Sequence, residues 1–218
     1  MRSNVFFPRW SHQGDKVAFL VRHTSSEQNS IQLVDINTKV VSVINVDGLH
    51  SFGMPTWMQN DEAILVKAEG ENGTNFYSIN INDGSFQKQV NGSGGYAIHT
   101  KDDEIWYSKN DTSIYKISLK SPDSMAEKVL SSGEIFNTLT WVKADLGIYF
   151  LKKHADHQTI NFYDTSNETV KTLVKVPLRT IDDATALSVM VEKKRLIFTQ
   201  TSFPQVNIKR LSHPLLSD

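Results

Sequence analysis

The 218-residue chain has no cysteine. That excludes disulfides, thiolate zinc sites and Cys nucleophiles, and it leaves the redox compartment open. A charge of one sign is lacking too: 23 Lys and Arg stand against 24 Asp and Glu, for a net charge of −1. With no basic surplus to neutralise a phosphate backbone, the chain by itself is not expected to bind nucleic acid. Long apolar runs are missing. The longest, residues 17–21 and 148–151, fall far short of the roughly 20 residues that span a bilayer. Residues 1–7 contain no apolar stretch of signal-peptide length, so export or membrane attachment would require a segment outside this sequence. Helical periodicity is also scarce. "SPDSMAEKVL" comes nearest, and its place in the pattern described next predicts a turn followed by a strand.

With 39% hydrophobic and 22% charged residues, the chain has enough apolar material for a folded core. That material is arranged as a repeat. The β-forming run around Phe19 returns around Leu65, Tyr107, Phe150 and Phe198, at spacings of 46, 42, 43 and 48 residues. Each run follows a polar turn, and three of those turns follow a Trp: Trp10, Trp57 and Trp141. Downstream of each run comes an alternating segment: "SIQLVDI", "NFYSINI", "SIYKISL", "TINFYDT" and "QVNIKRL". Four of these continue through Asn-, Asp-, Gly- or Pro-containing turns into a further strand, the chemistry of tight hairpins. Four antiparallel strands every 42 to 48 residues are one propeller blade. The expected fold is all-β, a single domain over residues 1–218 of about five four-stranded antiparallel blades, which either close a ring or form part of a propeller in a longer chain. These fall near 5–46, 52–92, 94–131, 137–176 and 184–213, the last stopping at its third strand. The large residue at each Trp position is expected to fill the gap between neighbouring blades. An open propeller edge would leave unpaired backbone groups and invite self-association.

The stretch Pro8-Arg9-Trp10-Ser11, continuing through Gly14-Asp15-Lys16-Val17-Ala18-Phe19, resembles the TolB-type, WD-like propeller repeat. The match is close over residues 8–19, partial over 55–65 and degenerate in the later copies. The motif is structural and carries no catalytic residue across. The degenerate repeats, the segment "LGIYFLKKHADHQTINFYDTSNETVKTLVKV" and the near-neutral charge also resemble the C-terminal region of CadC/ToxR-type membrane-bound transcriptional regulators. That likeness implies a periplasmic sensing or protein-contact part, with DNA-binding residues elsewhere.

Candidate chemistry is sparse. His154, Asp156 and His157 offer two imidazoles and a carboxylate, but the HxxH spacing lies in a loop outside any helix, so an exposed polar loop is the better reading. "NINDGS" (80–85) lacks the alternating ligands of a calcium loop and reads as a hairpin turn. "NGSGG" (91–95) precedes a strand rather than a helix, so it predicts a connector between blades, not a phosphate cradle. No Gly-x-Ser-x-Gly elbow is present, so no hydrolase activity is expected. No cofactor or metal is expected either. Propellers bind where the loops entering each innermost strand converge. Here those loops hold Asp47, His50, Phe52, Asn91, Glu134, Phe136, Arg179 and Asp182, a mixture of charge and aromatics suited to a protein or peptide partner. Three functions follow: a binding or sensing module of a regulator, a TolB-like translocation scaffold, or the propeller of a prolyl-oligopeptidase-type peptidase.

Overall fold

Alternating apolar and polar residues build strands along the whole chain. The computed structural model describes residues 3–23, 28–92, 94–109, 112–121, 124–131, 133, 137–144, 146–177, 187–190, 195–202 and 205–211, and no helix occurs among them. The first sheet is β1 (Ser3–Trp10), β2 (Lys16–His23), β3 (Asn29–Asp35) and β4 (Val41–Val43). The second is β5 (Thr56–Trp57), β6 (Ala63–Gly70), β7 (Gly73–Asn80) and β8 (Phe86–Asn91). The third is β9 (Ala97–His99), β10 (Glu104–Ser108), β11 (Ile114–Ser118) and β12 (Glu127–Leu130). The fourth is β13 (Trp141–Ala144), β14 (Gly147–Lys153), β15 (His157–Asp164) and β16 (Thr169–Pro177). A three-stranded fifth follows: β17 (Leu187–Met190), β18 (Arg195–Ser202) and β19 (Gln205–Leu211). Each sheet runs in sequence order, neighbour beside neighbour, which is the meander of a propeller blade. The ten residues of "SPDSMAEKVL" end in a strand, β12, as its place in the repeat requires.

The chain divides into two compact units. Residues 1–110 with 114–128 carry the first three sheets save the end of β12; residues 111–113 with 129–218 carry the other two. In the first unit, blade 1 and blade 2 share a core of Ala18, Leu20, Ile31 and Leu33 against Trp57, Ile64, Val66, Tyr77 and Ile79. Blades 2 and 3 share Leu65, Phe76 and Val90 against Ala97, Ile105 and Tyr107. In the second unit, Tyr149, Leu151, Ile160 and Phe162 pack on Leu196 and Phe198. Consecutive blades within a unit also meet at their first strands, β1 with β5, β5 with β9, and β13 with β17.

The third strand of four blades ends in the same local device. Asp35 accepts the Asn37 and Thr38 amides at 2.9 and 2.8 Å, Asn80 accepts Asn82 at 2.8 Å, and Asp164 accepts Ser166 at 2.9 Å. Ser118 accepts the Lys120 amide in the third blade. A short polar side chain bonding the backbone two residues on turns the chain and starts the next strand. This is why degenerate turn sequences still give one topology.

Two repeat assignments need correction. Trp10 pairs with Val17 and Trp57 with Ile64, so these strands superimpose at an offset of 47, not 46. Phe19 therefore corresponds to Val66 rather than Leu65. A one-residue slip sends a strand residue to the opposite face, and Leu65 packs toward blade 3 while Val66 packs toward blade 1. The Trp positions also differ. Trp57 fills the gap between blades 1 and 2 and donates its indole N–H to Arg9 O at 2.9 Å. Trp141 is buried but pairs with Phe150, one step out of register, and its indole donates to Thr138 O in its own blade. Trp10 fills nothing: it is 63% exposed.

Candidate functional site

The loops that enter the first strands hold the residues expected to make contacts. Asp47, His50 and Asn91 lie at the surface. His50 forms an isolated bridge with Glu69, its amide donating to Glu69 O at 2.9 Å, and its ring stands 3.6 Å from the Glu69 carboxylate. Asn91 pairs with Asn75 at the end of β8. Both belong to the rim of blade 2 that carries the β6–β7 hairpin. Phe52 is not the exposed aromatic expected. It is buried in the core shared by blades 1 and 2, and Asn29 clamps it by accepting its amide at 2.9 Å and donating to its carbonyl at 2.6 Å. An aromatic that enters a loop beside a greasy sheet face gains more from burial than a contact residue would. Phe52→Ala is therefore expected to cost about 3 kcal/mol of stability, measured by urea unfolding, rather than to trim a surface. Glu134, Phe136, Arg179 and Asp182 lie outside the described residues.

Structure disposes of the other motifs in physical terms. The His154 and His157 rings stack face to face, centroids 4.2 Å apart and 7° from parallel. Imidazole lone pairs lie in the ring plane, so stacked rings do not converge on one ion. His157 Nδ1 instead meets Asp156 Oδ1 at 2.5 Å, and His154 Nε2 meets Thr159 Oγ1 at 3.1 Å. Among the described residues no group of three potential ligands could hold a metal. Asp83 spends its carboxylate on the Ser85 amide and hydroxyl, at 2.9 and 2.7 Å, closing the β7–β8 turn. Gly94 and Gly95 connect β8 to β9 across the end of β10, the connector expected there.

A string of polar side chains crosses the first three blades at the β1–β2, β5–β6 and β9–β10 turns. Asp61, almost fully buried, accepts the His12 amide, the Gln13 amide and the His12 ring at 2.9, 2.9 and 2.8 Å. Gln59 Nε2 lies 3.1 Å from His12 Nε2 and donates to His99 O at 2.9 Å. The Gln59 amide donates to His99 Nδ1, and His99 Nε2 reaches Asp103 at 2.9 Å. Burial alone would raise the Asp61 carboxyl, but the two amides and the imidazole outweigh it and hold the group below the usual carboxylate range. These histidines and acids fasten one blade to the next.

The first strands also carry a feature the sequence reading missed. Arg9, near the end of β1, is half-buried. Its guanidinium donates to Pro8 O at 3.2 Å and to the thioether of Met54 at 2.8 Å. Tyr96, buried in the loop entering β9, is its titratable neighbour. Burial lowers the Arg9 value and raises the Tyr96 hydroxyl. Lys67 on β6 lies against Gly53, whose missing side chain leaves room for the Lys67 stem, and burial lowers its value too. Neither cation has a carboxylate in ion-pair range among the described residues. The only sequence signal for this was an Arg inside the Pro-x-Trp motif, and the fold was needed to supply its neighbours.

These stacked meanders define a β-propeller protein. No protein-family model matches the sequence, and no curated protein matches it. Among solved structures the chain is similar to TolB from Acinetobacter baumannii, with a TM-score of 0.61 at 16% identity over 96% of this chain and 52% of that one. It is similar to a prolyl endopeptidase, with a TM-score of 0.62 at 11% identity over 96% of this chain and 39% of that one. It also matches the β-propeller domain of the Trilobed protease from Pyrococcus furiosus, at a TM-score of 0.50 and 16% identity, over 96% of this chain and 67% of that domain. The chain thus spans about half the length of TolB and about two-fifths of the endopeptidase. At these identities the likeness is one of fold.

Proposed function

We propose that this chain is a non-enzymatic binding module, the propeller part of a larger bacterial protein, and that it takes an acidic group of a protein or peptide partner at Arg9. The supporting observation is the guanidinium itself. Five N–H donors in a half-buried setting face a carbonyl and a thioether, with no carboxylate among the described residues to neutralise them. Such a cation keeps donors for an incoming anion, and charge-assisted bonds in a partly desolvated site are the strong ones. Asp47, His50 and Asn91 form the exposed rim, and no nucleic acid or cofactor has a part in this reading. The sequence likeness to CadC/ToxR-type regulators favours a periplasmic sensing or contact role in such a protein. A TolB-like scaffold and the propeller of a serine peptidase fit the fold neighbours equally. An upstream winged helix with a membrane segment, a cleaved signal peptide, or a downstream α/β-hydrolase domain in the gene separates the three.

The binding reading is checked by calorimetric titration with an N-acetylated tetraglutamate peptide. Saturable binding is expected, weakened about tenfold or more in Arg9→Gln. The exposed variant Lys39→Gln is expected to bind like the parent. No saturable binding, or equal affinity in Arg9→Gln, overturns the assignment, and turnover of a chromogenic peptide by the chain alone overturns the non-enzymatic part.

A further inference from the structure

Blade 3 gathers positive charge around one aromatic ring. Cross-strand partners share a face of an antiparallel sheet, and successive residues alternate between faces. Trp106 pairs with Lys116 on one face of blade 3, and Tyr107 pairs with Tyr115 on the other. On the first face the charge is balanced, because Lys116 Nζ meets the Glu127 carboxylate at 3.2 Å. On the second it is not. Lys109 comes two residues after Tyr107, and Lys128 comes one residue after Glu127, so both fall on the Tyr115 side. The Lys109 ammonium stands 4.0 Å from the Tyr115 ring centroid and the Lys128 ammonium 5.6 Å. Neither has a carboxylate in ion-pair range among the described residues. Two cations drawn to one ring repel each other, and no described acid offsets that repulsion.

The tyrosines add donors held in place by packing. Tyr107 is only 2% exposed; its ring meets Phe76 of blade 2 edge-on at 6.0 Å and stacks on Tyr115 at 5.8 Å. Neither phenol has a hydrogen-bond partner among the described residues. Burial, and after it the neighbouring Tyr115, pushes the Tyr107 hydroxyl above its ordinary value, so it keeps a proton to donate. Lys109 and Tyr115 are half-buried and Lys128 is exposed, so the cluster opens to solvent. We infer that Lys109, Lys128 and the Tyr107–Tyr115 pair form a binding site for a tetrahedral oxyanion, either inorganic phosphate or the phosphoryl group of a monoester. All four polar groups are donors, and a phosphoryl group brings three strong acceptor oxygens with about 1.5 to 2 negative charges, which match two ammoniums. A single carboxylate would leave one cation unbalanced. The site stands apart from the Arg9 reading, because its residues all belong to blade 3 and Arg9 has no part in it.

The test titrates inorganic phosphate, and separately methyl phosphate, into the chain labelled at its tyrosine rings. Sodium chloride holds the ionic strength constant, and NMR follows the Tyr107 and Tyr115 ring resonances. Both resonances are expected to shift together and to saturate in the millimolar range. Lys109→Gln and Lys128→Gln are each expected to weaken binding about tenfold or more. Lys116→Gln, which removes the same charge from the opposite face, is expected to bind like the parent. Tyr107→Phe keeps the ring packing, so it is expected to weaken binding while leaving Tm unchanged. Tighter binding of methyl phosphate assigns the site to an ester, and equal or weaker binding assigns it to the free ion. Three results overturn the inference: shifts that never saturate; the same shifts with chloride alone; or affinity undiminished in both Lys109→Gln and Lys128→Gln.

Discussion

Gly94→Ala is expected to abolish the cooperative thermal unfolding of the first unit, leaving a chain with strand content but without a sharp transition by circular dichroism. The connector at Gly94 and Gly95 passes directly across the end of β10. A Cβ on Gly94 would stand 1.5 Å from the Ser108 carbonyl oxygen and 2.3 Å from its carbon. Both are backbone atoms in a strand, so no rotamer change relieves the overlap. The connector must lift by more than an ångström. Lifting it removes the Gly95 amide from Ser108 Oγ, now 3.1 Å away, and draws buried Tyr96 out of place. Overpacking a tight site commonly costs about 1–3 kcal/mol, and a backbone collision lies at or beyond the upper end. A domain whose whole stability is about 5–15 kcal/mol does not carry such a loss easily. Gly14→Ala is the control. Gly14 has φ +74° but nothing within 4 Å of its Cβ, so backbone strain alone acts there, at about 1 kcal/mol. Equal melting of the two variants would show that the close approach at Ser108 is wrong.

Asp61→Ala is expected to be the most damaging removal of a charge. Its carboxylate collects the His12 and Gln13 amides and the His12 ring, three donors arriving from blade 1 onto a blade 2 side chain. Alanine leaves two backbone amides unpaired next to a core, at about 1–3 kcal/mol each if water does not replace the partner. His12 is itself partly exposed, so some rehydration is available and the total is expected near the lower half of that range. Urea unfolding of Asp61→Ala beside Asp61→Asn checks this. Asn keeps an acceptor for one amide and is expected to lose less. The same carboxylate sets an acid limit. Its folded value lies below the ordinary 3.8, so its stabilisation is present in full above that value and is lost as pH falls below it. The parent chain is expected to lose stability steeply in that acid range, and Asp61→Ala more gently. Parallel pH profiles for the two proteins would remove Asp61 from the account.

Much of the fold was readable from residues in order, for identifiable reasons. Turn chemistry is local: Asp35, Asn80 and Asp164 bend the chain by bonding amides two residues away, and no distant partner is needed. Strand alternation is local as well, so "AEKVL" reads as β12 despite its helix-forming composition. Which face a strand residue takes is another matter. Similarity of type matches Phe19 to Leu65, but the ladder shows the partner to be Val66, because the turn after each Trp has the same length and fixes the offset between the copies. Site residues were legible only as loop membership. Phe52 sits in the expected loop but turns inward, and Arg9 escaped notice because an Arg on an inner strand looks like any other until Met54 and Tyr96 stand beside it.

The order of residues alone thus settles the kind of element, the number of strands per repeat and the places where the chain turns, since these depend on contacts a few residues apart. Packing in three dimensions settles which of two faces is core, which Trp is buried, and which charges remain unpaired. Those outcomes depend on what the neighbouring blade brings, as the same Trp motif shows by burying Trp57 and leaving Trp10 in water.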